Sequence, residues 1–256
     1  MRHKKLFFLI VILTFNLSFS SVKDLTNAFK NELGIEIILD TTLVSTWPLV
    51  HYKKPTDYFR LETYLKILKF EFEKYPKEYF KKIDLQKIVI CNDLKVKDVK
   101  RAAVPDPEKH ALFFAINSNY TRSYLVHVMH HELHHFTEHT LWKTMYYKWN
   151  RWHRKNIRKF EYSAGGQIAY FDENKKVDWN TLNNPVKGFL NLYSTTGQEE
   201  DRCEIVALMM HDSKRHLLID LCQKDRKLKR KTKLIMRTLD KLSNTKKNYW
   251  RYKITI

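Results

Sequence analysis

RSYLVHVMHHELHHFTEHTLW, residues 122–142, carries six histidines and directly follows Thr121, a residue whose hydroxyl suits a helix N-cap. The spacing predicts a helix from Arg122 to Trp142. Within it His131, Glu132 and His135 form the pattern H-E-x-x-H. Residues four apart on an α-helix stand one turn above each other, so both imidazoles can reach a single ion. Glu132 projects slightly aside, where it can take a proton from water and later return it to a leaving amine. A set of nitrogen and oxygen donors suits Zn2+ and leaves one coordination position open. The pairs His127/His131 and His130/His134 have the same spacing, but only His131/His135 encloses a Glu next to its first member. His131 and His135 are therefore the expected metal ligands, and Glu132 the expected general base.

A catalytic zinc takes a third protein ligand. The richest source is YSTTGQEEDRCEIVALM, residues 193–209, which places Glu199, Glu200 and Glu204 at the start of a helix predicted over about Gln198 to Met210. Carboxylates in a first helical turn interact favourably with the helix dipole whatever their function, so position alone does not choose among the three. Cys203 is a further candidate, as a thiolate that would close the open position and make the centre structural.

Taken together, these segments resemble the lethal-factor-like gluzincins and the related bacterial zinc-binding metallopeptidases. In that pattern the HExxH helix is followed by an aromatic and Asn-bearing connector, here Trp149, Asn156, Phe160 and Tyr162. A segment with Gly188-Phe189, Tyr193 and Glu200-Asp201-Arg202-Cys203-Glu204 then follows. The similarity spans roughly Tyr124 to Met210. It implies Glu200 as third zinc ligand, Glu204 as a carboxylate orienting a ligand imidazole, and Tyr193 as a phenol donating to the oxyanion of a hydrolysed peptide bond. Arg202 and Cys203 depart from the family pattern, which usually has an aromatic and Ala there, so the packing near the metal is expected to differ.

The chain has 256 residues, 43% of them hydrophobic and 14% aromatic, which fits a packed body and excludes a mainly disordered chain. With five Gly, phosphate-cradling loops are not expected. MRHKK followed by LFFLIVILTF and Ser18-Phe19-Ser20 reads as an export signal cleaved after Ser20, leaving residues 21–256 as a single domain outside the cytoplasm. The net charge of +19 is spread along the chain, densest over Lys224 to Lys233, where basic helices are expected to face solvent and to suit an anionic surface rather than a specific nucleic acid. Cys91, Cys203 and Cys222 form an odd set, from which one disulfide is expected at most.

Periodicity predicts helices over Val22–Leu33 and Thr56–Tyr75, and two more from beyond Met210 towards Lys241. Strands are predicted in GIEIILD, near Ile88–Leu94 and near Ala111–Asn117. The stretches TTLVSTWPLVHYKKP and VPDPEKH read as connectors, because each carries two prolines. Strands early and helices late indicate an α+β fold, a small β-sheet backed by helices. With the resemblance, a zincin-like body with a helical C-terminal half is expected.

Overall fold

The structure, a computed structural model, describes residues 21–117, 119–163, 182, 186–246 and 249–254. The expected export signal and Gly165-Gly166 lie outside these residues. The chain divides into two compact units, one ending at Leu125 and the other beginning at Val126.

The first unit is built on one ten-residue strand. β3 (Lys87–Val96) pairs in its first half with parallel β1 (Glu36–Ile38) and parallel β6 (Ala111–Ala115). In its second half it pairs with antiparallel β2 (Val50–Lys53) and β4 (Val99–Lys100), while β5 (Ala103–Asp106) pairs antiparallel with β6. β6 is ALFFA, buried at every position, as expected for a strand covered on both faces. Phe113 and Ala115 join Val89, Cys91, Leu94 and Val104 on one side, with Trp47, Tyr52 and Tyr120 packed against them. Phe114, one residue on and therefore on the other face, meets Tyr64 of α2 (Tyr58–Phe72) at 6.3 Å between ring centroids. Residues 21–28 form α1, which runs into a π-turn, Phe29–Leu33, and a short α3 (Lys77–Ile83) follows Pro76.

Both stretches read as connectors contain strand. Pro105 lies within β5, which is possible because β5 pairs only with β6 and needs no amide on its outer edge. The first connector contains β2, and its Ser45-Thr46 segment is held by the buried Asp106, which accepts from both hydroxyls and from the Thr46 amide, each at 2.7 Å.

The second unit is helical. It contains α4 (Arg122–Trp142) from Val126 onward, a short α5 (Asn150–His153), α6 (Gln198–Met210), α7 (Arg215–Lys224), α8 (Arg226–Leu242) and α9 (Tyr249–Ile254). Thr121 caps α4 as expected, its hydroxyl accepting from the Tyr124 amide at 3.2 Å. Gly188 has φ +98, and a Cβ there would stand 3.2 Å from Lys227 Cβ, so the turn leading to Phe189 requires glycine. The three cysteines are free and buried, within the expected limit of one disulfide, and serve as small apolar side chains.

Lys231 is a second correction. It belongs to the basic run expected to face solvent, yet it is fully buried. The run is an amphipathic helix, and Lys231 falls on the same inward face as Leu228, Ile235 and Leu239. Its ammonium donates to Asp201 at 2.7 Å and to the Gly188 carbonyl at 2.8 Å, and it sits 3.6 Å from the centre of the Phe189 ring. Removing one member of a buried ion pair leaves the other charged and dry. Lys231→Ala is expected to lower unfolding free energy by about 3–5 kcal/mol, whereas Arg230→Ala on the exposed face should change it by less than about 0.5 kcal/mol. Urea denaturation followed by circular dichroism compares the two.

Candidate metal centre

On α4, His127, His131 and His135 recur every four residues and so share a face. On α6, Glu200 and Glu204 do the same, and α6 is buried along nearly its whole length. The two faces meet. His131 Nε2 lies 3.1 Å from Glu200 Oε2 and 3.1 Å from His135 Nε2, and His135 Nε2 lies 3.3 Å from the same carboxylate oxygen. All three side chains are buried. Two imidazole nitrogens and one carboxylate oxygen thus point into one small space.

That triangle can be tested against an ion. A tetrahedral zinc with bonds of about 2.0–2.1 Å keeps its donors roughly 3.3 Å apart, close to the three observed separations. The donor set, two imidazoles and a carboxylate, also suits a borderline divalent cation and leaves a fourth position. The residues therefore fit the group. Burial opposes charge on His131, but the Glu200 and Glu204 carboxylates outweigh it and raise its pKa well above the ordinary histidine value. Burial likewise opposes ionisation of Glu200, but the neighbouring His135 and His131 hold its carboxyl well below the usual range.

Glu204 sits one turn after Glu200 and on the other side of His131. Its Oε1 lies 3.0 Å from His131 Nδ1 and 2.8 Å from His127 Nε2, and its Oε2 accepts from Asn191 Nδ2 at 2.6 Å. Asn191 carried no signal in the sequence. It is placed by a turn in which its side chain accepts from the Ser194 amide and its own amide donates to Ser194 Oγ. The same turn sets Tyr193 beside the site, its ring centroid 6.1 Å from that of His131. Glu132 is half-buried on the same helix. Glu199, the rival ligand, makes no contact with the imidazoles comparable to that of Glu200, and burial raises its pKa above the ordinary value.

Two wider donor groups share His131. One joins it to His135 and Cys203, the other to His127 and Glu204, with the ligand atoms of each group within 4.8 Å of one another. Burial and the surrounding carboxylates push the Cys203 thiol well above its ordinary pKa. His130 and His134, the neighbouring pair, do not face the triangle. His134 approaches Glu138 at 3.4 Å, and burial lowers its pKa.

The departures from the family pattern are compensated locally. Arg202 is buried and forms a two-pronged ion pair with Glu138 of α4, with a 2.8 Å contact from Nη2 to Oε2. Its guanidinium lies 5.1 Å from the Trp142 ring centre and donates to the Tyr147 carbonyl at 3.1 Å. Asp201 accepts from Trp152 Nε1 at 2.8 Å and Tyr162 Oη at 2.7 Å as well as from Lys231. In the connector it is thus Trp152, not Trp149, that reaches α6 with its indole nitrogen. The Trp149 backbone amide instead donates to Gln198 Oε1 at 2.8 Å.

The fold has a solved counterpart. A crystal structure of a candidate zinc-binding metallo-peptidase from Bacteroides caccae aligns over 93% of this chain and 91% of its own, with a TM-score of 0.54 and 14% sequence identity. At that identity the likeness establishes the fold alone, an α+β architecture with a small sheet and a helical second half. No protein-family model matches the sequence, and no curated protein matches it.

Burial alone would raise the Glu138 pKa, but Arg202 more than offsets this and holds it below the ordinary glutamate value. A carboxyl depressed on folding contributes stability that is complete above its unfolded value and is lost as pH falls through the folded one. Glu138→Gln is therefore expected to destabilise the protein by about 3–5 kcal/mol near neutrality, with the deficit shrinking as pH falls below the ordinary glutamate range. Denaturant titrations across pH measure it.

Proposed function

We propose that this chain is a zinc-dependent peptidase of the gluzincin type, with His131, His135 and Glu200 as ligands. The observation that carries the reading is the 3.1–3.3 Å triangle of Nε2, Nε2 and Oε2. Zinc held there would supply a Lewis acid that polarises a peptide carbonyl and makes a water more acidic. Glu132, half-buried beside the first ligand, accepts the proton of the attacking water and delivers it to the departing amine. Tyr193 donates a hydrogen bond to the oxygen that becomes negative as the carbonyl is attacked. Glu204 fixes the proton of His131 on Nδ1, leaving Nε2 free to bind. On this reading the first 20 residues direct export, and the peptidase works outside the cytoplasm on a peptide or protein substrate.

Glu132→Gln is expected to keep zinc at the wild-type stoichiometry while lowering peptide cleavage by about 10²–10⁴-fold. Metal analysis and a peptide-library assay, with and without chelator, read both. Undiminished cleavage by this variant would remove Glu132 from the reaction.

The grouping of Cys203 Sγ with His131 and His135 favours a second reading, a closed metal site in a non-catalytic, surface-adhering protein. Two measurements separate the readings. For a peptidase centre, Cys203→Ala keeps its zinc and the cobalt-substituted wild type lacks a thiolate charge-transfer band; for a structural centre, Cys203→Ala loses the metal and the cobalt-substituted wild type shows the band.

The basic face of the second unit supports contact with an anionic surface. Arg226, Arg230 and Arg237 are exposed on α8, while its apolar residues are buried. Lys155 lies close enough to Arg151, Arg154 and Arg230 for these cations, after partial burial, to lower its pKa. Such a crowd of like charges is relieved by an anion. Sedimentation with anionic vesicles is expected to fall as salt rises, and Arg154→Glu with Arg230→Glu to weaken binding by at least about tenfold. Binding indifferent to both would dismiss this contact.

A further inference from the structure

Resting on the zinc reading, we infer that His127 is a positioning residue for the metal centre, acting through Glu204. His131 must present an unprotonated Nε2 to a metal, so its proton resides on Nδ1, and that proton is donated to Glu204 Oε1 at 3.0 Å. His127 Nε2 donates to the same oxygen at 2.8 Å, and Asn191 Nδ2 donates to the other oxygen at 2.6 Å. The carboxylate is thereby held by three groups, two from α4 and one from the turn that carries Asn191. The His127 and His131 rings lie 6.0 Å apart at 29°, close to parallel, as expected of two imidazoles one helical turn apart that address one acceptor.

This bracing has weight because it is one-sided. His135 Nδ1 is buried and has no hydrogen-bond partner among the described residues, so His135 receives no comparable support through its ring. Precision at the centre therefore depends on His131, and His131 is oriented by a carboxylate that His127 helps to pin. The four-residue repeat His127, His131, His135 then has a division of labour: the last two face the metal, and the first faces the group that aligns the second.

The test is zinc affinity of the full chain, measured by competition with a chromophoric chelator, together with stoichiometry and the visible spectrum of the cobalt-substituted protein. His127→Ala is expected to bind one zinc about 10–100-fold more weakly and to show an altered cobalt spectrum. His127→Gln, whose amide nitrogen can occupy the place of Nε2, is expected to restore both, a recovery that a purely space-filling role would not give. Should His127→Ala not fold, His127→Gln set against His127→Leu carries the same comparison. Wild-type affinity in the Ala or Leu variant overturns the inference. So does a wild-type stoichiometry of two that drops to one on substitution, since His127 would then be a ligand itself. A wild-type protein that binds no zinc overturns the peptidase reading instead.

Discussion

Charge buried away from water has to be answered by opposite charge or by hydrogen bonds, and α6 concentrates that demand. Glu200, Asp201, Arg202 and Glu204 are all buried on one thirteen-residue helix. Each is answered from a different direction: Glu200 and Glu204 by the histidines of α4, Arg202 by Glu138, and Asp201 by Lys231, Trp152 and Tyr162. An isolated carboxylate or guanidinium in such a place would cost several kcal/mol. The helix therefore tolerates little rotation or sliding, because any movement that improves one pair breaks another. The geometry of the His131–His135–Glu200 triangle is a by-product of that constraint as much as of the two imidazoles themselves.

Much of the site was legible because its chemistry imposes local spacing. His131, Glu132 and His135 lie on consecutive turns of a helix whose cap, Thr121, was equally readable, and the structure brings Glu200 and Glu204 against that helix. Spacing within α6 did not by itself separate Glu199 from Glu200; in the fold it is Glu200 whose carboxylate oxygen lies 3.1 and 3.3 Å from the two imidazole nitrogens. Asn191 was illegible because its role arises from a turn and a long-range contact that leave no periodic trace. The second role of His127 was hidden for a related reason: its spacing made it look like a rival ligand, and only the position of Glu204 shows what it faces.

The fold was readable in outline and less so at its edges. Apolar periodicity placed α2, α7 and α8, and capping and histidine or carboxylate spacing placed α4 and α6, whereas β2, β4 and β5 are short and draw their stability from β3 and β6 rather than from their own composition. Prolines marked two of those regions as connectors, yet an edge strand accommodates Pro105 without losing a ladder bond. Lys231 was hidden by its neighbours. In a run of Lys and Arg every residue looks alike, and only the helical phase assigns one of them to the interior.

The pair formed by Glu138 and Arg202 joins the last turns of α4 to the first turns of α6, beside but not within the metal triangle. Because each is dry, neither can change alone without stranding the other's charge. A lineage that replaces Arg202 with an apolar side chain must surrender the acidity of position 138 in the same step, so these two positions are bound to drift together or not at all.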